Sequence, residues 1–199
     1  KYILTAVPMF VLMAEMANKS GVTKYIFDGA GIWFGRSRGG LAIGNIIAGA
    51  GIGAISGSST ASAAMMGRVS VPQMIRMGYD PTFALGTASA GGTLAVLIPP
   101  SIAIILYGIL TDTSVGKLLI AGIIPGALMT LAYIIVILIW LKRNPELAGR
   151  GEEYTLLEKL ISLKSFWPIL VIAFFVLGGM YTGATTVTEA AGIGALSTS

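Results

Sequence analysis

Two short stretches hold the groups that could do chemistry in this chain. The first, Ser56-Gly57-Ser58-Ser59-Thr60, puts four hydroxyls and a glycine in the middle of an apolar run. The second runs from Gly91-Gly92-Thr93 to Pro99-Pro100-Ser101 and interrupts another apolar run with two glycines and two prolines. Neither contains a carboxylate or an amine, so what they offer is binding. A broken helix exposes unpaired amides and partial positive charge at an N-terminal end. At a C-terminal end it exposes unpaired carbonyls and partial negative charge. Anions suit the first kind of end, and hard cations suit oxygen ligands such as those of the second.

Read this way, Ser58, Ser59 and Thr60 open a second helical limb, where their hydroxyls can cap the helix or border an anion. Pro99 and Pro100 are expected at the start of the returning half, since a first helical position has no amide bond to lose. Ser101 and Ile102 then present amides to the same cavity. Carbonyls at Ser56, Gly57, Ser58, Gly91 and Gly92, with the Thr93 hydroxyl, make an oxygen set for a hard monovalent cation. Sodium fits better than a proton, because Glu15, Asp28, Asp80, Asp112 and Glu189 all lie outside both breaks.

Catalytic readings find little support. The chain has no histidine and no cysteine, which removes the commonest general base, the commonest metal ligand and every thiolate site. A serine hydrolase would want a base beside its serine, and Asp112 has no mate for an aspartyl dyad. The chain is expected to be no enzyme, with no cofactor and no transition-metal site. "GAGIGAIS" has Ser56 where a dinucleotide loop would close on glycine, and no phosphate-binding G-x-x-x-x-G-K-[ST] occurs. A net charge of +4, thinly scattered, argues against nucleic acid.

The elements that must hold these breaks are membrane helices. The chain is 55% hydrophobic and 11% charged, against about 25% charged in soluble domains. An all-α integral membrane protein follows. Irregular backbone at membrane depth survives only inside protein or against a watery cavity, and discontinuous helices build transporter sites near the midplane. Residues 1–21 read as a membrane helix, shorter than a full crossing. Residues 22–38 read as an amphipathic helix at the interface, with Val22, Tyr25, Ile26, Trp33 and Phe34 opposite Lys24, Asp28 and Arg36. Residues 39–71 form a re-entrant hairpin, 72–113 a discontinuous transmembrane helix and 114–143 a spanning helix. Residues 144–165 form a loop and a second amphipathic helix, with Leu156, Leu157, Leu160 and Ile161 opposite Glu158 and Lys159. Residues 166–184 form another span, and 185–199 begin a fresh apolar stretch, as in a piece of a longer protein. The pairs Gly40/Gly44, Gly49/Gly53 and Gly53/Gly57 have the spacing of helix-packing glycines.

Charge chooses the hairpin over a crossing. Arg36 and Arg38 precede 39–71, and Arg68 and Arg76 follow it, so a crossing would divide the arginines between the two faces. A hairpin leaves only Lys1 and Lys117 outside and eleven of the thirteen basic residues inside, as the positive-inside rule prefers.

The stretches "GSSTASAAMMG", "VPQMIRMGYDP", "GGTLAVLIPPSI", "LYGILTDTSVGKLLIAGIIPG" and "VTEAA" follow one another along the chain. Together they resemble the large membrane subunit of tripartite ATP-independent periplasmic (TRAP) transporters, the DctM-like family, with Val187 where the family usually has proline. The resemblance implies one half of an inverted-repeat, elevator-type transporter, with a hairpin and a discontinuous helix in each repeat. This chain would hold about the first repeat, and 185–199 would begin the second. It implies sodium-coupled import of organic acid anions (C4-dicarboxylates, sialic acid or related carboxylates) across a bacterial or archaeal cytoplasmic membrane. A periplasmic binding protein would deliver the substrate, and a small membrane subunit would complete the permease. The helices at 22–38 and 154–165 would be arms joining moving part to scaffold. Carried over by residue, backbone at Ser56, Gly57, Ser58, Gly91, Gly92 and Thr93 would hold one sodium ion. Ser58, Ser59, Thr60, Pro99, Pro100 and Ser101 would border the substrate cavity. A two-hairpin transporter independent of a binding protein is the nearest alternative. A channel or structural subunit is the other, although a channel would favour one continuous pore lining.

Overall fold

The computed structural model describes residues 21–34 and 39–149, with isolated positions at 8, 12, 155, 158, 162 and 167. The segments expected at 1–21, 166–184 and 185–199, and most of 150–165, lie outside the described residues. Among the described residues every regular element is helical: α1 (Val22–Phe34), α2 (Gly40–Ser56), α3 (Ser59–Arg76), α4 (Pro81–Thr93), α5 (Ile102–Leu110) and α6 (Val115–Arg143). Short 3-10 turns follow α4 (Leu94–Val96) and α6 (Pro145–Leu147).

The packing is organised around α2. Its sequence GLAIGNIIAGAGIGAIS is buried along most of its surface, as expected of a helix enclosed by protein on all sides. Its glycines let neighbouring backbones come close. A Cβ on Gly49 would lie 2.6 Å from the Cα of Gly91, and one on Gly53 would lie 2.8 Å from the Cα of Ala95. On the other flank, a Cβ on Gly44 would lie 3.0 Å from the carbonyl oxygen of Ala30 in α1. This is close small-residue packing of the kind found between membrane helices.

The face of α1 differs from the stripe expected for it. Ile26, Phe27 and Ala30 are fully buried, while Tyr25 is 63% and Trp33 38% exposed. Ile26 therefore faces the protein core, and Tyr25 and Trp33 do not share its surroundings. The cause is the small residues at 29–31, which draw the Phe27 side of the helix onto α2.

The second limb, α3, is longer than expected. It passes through Pro72 and ends at Arg76, so residues 72–76 belong to it and not to the following helix. An interior proline removes one ladder bond, and the ladder on either side of it carries the helix on. A turn at 77–80 then leads into α4, where the Asp80 carboxylate accepts the Phe83 amide at 2.9 Å. Pro81 occupies the first turn. Both features mark a helix start.

The second break begins later than the glycines suggest. Gly91 and Gly92 are helical, the helix tightens into the 3-10 turn Leu94–Val96, and irregular backbone runs only from Leu97 to Ser101. Pro99 and Pro100, joined by a cis peptide bond, precede the cap of α5, and neither is its first residue. Ser101 is the N-cap.

α6 has 29 residues and is the one helix among those described that is long and apolar enough to cross a membrane. At 1.5 Å per residue it extends about 43 Å, beyond the ~30 Å of a hydrocarbon core. Its glycines receive the second break: a Cβ on Gly122 would lie 2.7 Å from the Leu97 carbonyl oxygen, and one on Gly126 3.0 Å from the Ile98 side chain.

Candidate functional site

Both breaks lie at one place because the glycines of α2 press it against α4 and the turn that follows. At the hairpin tip α2 ends on Gly57, in left-handed backbone at φ 60°, and its amide bonds the Gly53 carbonyl at 2.9 Å. Glycine is the residue suited to that position. Ser58 is extended and caps α3, its hydroxyl accepting the Ala61 amide at 3.5 Å. The two breaks are joined by a backbone hydrogen bond, the Ile102 amide donating to the Gly57 carbonyl at 3.0 Å. A Cβ on Gly57 would lie 2.7 Å from the Pro100 carbonyl oxygen.

The expected site residues divide into those at this junction and those used elsewhere. Ser58 and Ser59 are half-buried at the tip and Thr60 is exposed. Ser58 and Thr60 share a hydroxyl contact of 3.1 Å. Ser56 faces inward, its buried hydroxyl bonded to the buried Ser62 hydroxyl, which ties the two limbs together. Ser101 is fully buried; its hydroxyl donates to the Val96 carbonyl at 2.7 Å and accepts the Ile104 amide at 3.4 Å. It closes the break on itself. Pro99 and Pro100 are buried behind the tip.

Gly91, Gly92 and Thr93 differ from expectation. The carbonyls of Gly91 and Gly92 receive the Leu94 amide, so they remain inside a helical ladder. A Cβ on Gly92 would lie 2.5 Å from the Cα of Ala63. These glycines bring three helices together. Thr93 donates to the Ala90 carbonyl at 2.7 Å and contacts the Tyr133 hydroxyl of α6 at 3.0 Å. The amide of Ile102, expected to be free, is taken by Gly57.

Two helix starts remain side by side at the junction. The amides of Ser59 and Thr60 at the start of α3, and of Ala103 at the start of α5, have no acceptor among the described residues. Two helix N-termini thus meet across the Gly57–Ile102 bond, each with the partial positive charge of its end. Beside them stands the carbonyl end of α2. Among the described residues no cluster of three or more acidic, histidine or cysteine side chains could hold a metal ion.

Sequence reasoning missed Asn45. Its side chain is fully buried, donating to the Thr87 hydroxyl at 3.0 Å, while its Oδ1 has no partner among the described residues. Its signal was there to read, as the one amide side chain in the apolar α2. It also missed the cap at Thr155, whose amide and hydroxyl donate to the Glu158 carboxylate at 2.7 and 2.9 Å. T-x-x-E is the signature of that arrangement.

Buried small-residue helices, a hydroxyl-lined break and a long, largely exposed apolar helix define a helical protein built for a membrane. The family described as "Tripartite ATP-independent periplasmic transporter, DctM component" matches residues 1–198, and the chain belongs to that family. It is 40% identical over 198 residues to the C4-dicarboxylate TRAP transporter large permease protein DctM of Pseudomonas aeruginosa, covering 98% of this chain and 45% of that protein. It is 33% identical to the sialic acid TRAP transporter large permease protein SiaM of Vibrio cholerae, covering 98% of this chain and 45% of that protein. The ectoine TRAP transporter large permease protein TeaC of Halomonas elongata is also 33% identical, over 94% of this chain and 44% of that protein. The chain thus spans less than half the length of these relatives.

Proposed function

We propose that this chain is part of a large permease subunit that imports organic acid anions, coupled to sodium, across a bacterial or archaeal cytoplasmic membrane. The hairpin formed by α2 and α3 is read as re-entrant, and α4 and α5 as the two halves of a discontinuous helix. The observation that carries the proposal is the Gly57–Ile102 hydrogen bond, which unites two helix breaks beside the Ser59, Thr60 and Ala103 amides, which have no acceptor among the described residues. Unpaired amides at helix N-termini suit a carboxylate. The carbonyl end of α2, at Ser56 and Gly57, suits a sodium ion. Names of the relatives support carboxylates as cargo: the Pseudomonas relative is a C4-dicarboxylate permease and the Vibrio relative a sialic acid permease. A periplasmic binding protein and a small membrane subunit complete the proposed machine, with α1 as an arm and an elevator motion as its mechanism.

Reconstitution of the full-length protein with both partners into liposomes tests this. A C4-dicarboxylate should accumulate when an inward sodium gradient is imposed and only with binding protein present. Accumulation without the binding protein would favour a self-sufficient two-hairpin transporter, and accumulation indifferent to sodium would remove the coupling ion from the account.

A further inference from the structure

Between α4 and α6 lies an apolar slot of about 320 Å³ that the transport chemistry does not use. Side chains bridge it at both ends. Thr93 meets Tyr133 at 3.0 Å at one end, and Phe83 meets the edge of Trp140 at 6.3 Å at the other. Between these bridges Gly86 and Ala90 of α4 face Val136 and Ile137 of α6. Gly86 is unlike the glycines of α2: a Cβ there would meet no atom within 4 Å. Nothing in the described protein needs that glycine small. A helix, about 10 Å across with its side chains, does not fit between helices bridged at both ends, whereas a linear hydrocarbon does.

The slot has a polar mouth. Val136 and Trp140 also line an adjoining depression bordered by Arg143 and Asn144. Arg143 forms no ion pair with a described residue, and it closes the last turn of α6 together with Lys142. The slot's one carboxylate, Asp80, accepts the Phe83 amide through Oδ1 at 2.9 Å. An apolar cleft, an indole at its opening and a guanidinium beyond it without an ion pair among the described residues repeat the layout of a membrane lipid. Tryptophan marks the headgroup level, and arginine suits phosphate.

We propose that the slot holds one acyl chain of a phospholipid whose phosphate lies against Arg143 and Asn144. The inference rests on the membrane reading given under Proposed function. The test uses the full-length protein with its partner subunits in nanodiscs of phosphatidylethanolamine and phosphatidylglycerol, doped with a phosphatidylglycerol carrying a diazirine at mid-chain. Photolabelling should concentrate on the Gly86–Ala90 and Val136–Ile137 segments, above that on the outward-facing Leu128. It should fall at least about tenfold in Gly86→Leu, which fills the slot, and fall also in Arg143→Gln. Labelling no denser in the slot than at Leu128, or labelling unchanged in both variants, would each overturn the proposal. Sodium-driven uptake by the same particles separates the two ideas. A transporting particle without slot labelling sinks the lipid alone, and a particle that does not transport sinks the reading beneath it.

Discussion

Gly57, Gly86 and Gly92 are the same residue in sequence and do three different things. Gly57 supplies left-handed backbone at a helix end, Gly92 lets Ala63 approach and Gly86 opens on empty space. The break at Gly57 was legible because serines and a threonine surround it. Gly91 and Gly92 were misread as part of a break, since a glycine pair looks alike whether it frees carbonyls or admits a neighbouring helix. The distinction is measurable by thermal unfolding of the full protein in detergent. Gly92→Ala and Gly49→Ala should each cost about 1–3 kcal/mol, because the clash is with backbone. Gly44→Ala, facing Ala30 at 3.0 Å, should be milder. Gly86→Ala should raise stability by up to ~1 kcal/mol through helix propensity. Equal effects at Gly92 and Gly86 would contradict the packing described. Asn45→Leu should be neutral or stabilising in the same assay, since it removes a buried acceptor without a donor, a penalty of about 1–3 kcal/mol. Thr87 keeps its bond to the Ala84 carbonyl.

At the scale of elements, helix starts and stops explain most of what could be read in advance. The hydroxyl run at 56–60 and the prolines at 99–100 announce broken helices. Their boundaries were harder to read, since Pro72 sits inside α3 and a 3-10 turn prolongs α4. The faces of α1 depended on which neighbour it met, and composition is silent on that. Thr155 and Glu158 make a pH prediction. Hydrogen bonds from the Thr155 amide and hydroxyl hold the Glu158 carboxyl below the usual glutamate range. A depressed carboxylate contributes stability that is present above its unfolded value, about 4.3, and lost as pH falls through the folded one. Exchange protection of the Thr155 amide should therefore persist at pH 5–7 and disappear in more acidic solution. In Glu158→Gln the protection should lose that pH dependence. Protection in wild-type protein that is indifferent to pH would refute the cap.

For the whole molecule, what matters is that two breaks far apart in sequence form one surface. That each break exists was readable from local residue types. That they meet depends on long-range packing of Gly49 on Gly91 and Gly53 on Ala95, which no short motif reports. A permease of the proposed kind should bind its anion at these paired helix ends. The rest of its cavity would come from sequence beyond this chain, which covers less than half of its relatives.

The most direct test is the KM for C4-dicarboxylate uptake by the full transporter carrying Ser59→Pro, with Ser59→Ala as its control. Ser59 is the first residue of α3 and Ser58 is already extended at φ −127°, ψ 121°. Proline is therefore compatible with both positions, and the change deletes one unpaired amide while leaving the helix in place. Ser59→Ala removes the hydroxyl and keeps the amide. A hydrogen bond to a charged group contributes about 1.5–3 kcal/mol, so KM should rise roughly tenfold to a hundredfold in Ser59→Pro, at unchanged melting temperature and with a smaller effect in Ser59→Ala. Wild-type KM in Ser59→Pro would contradict the claim that these helix ends hold the anion.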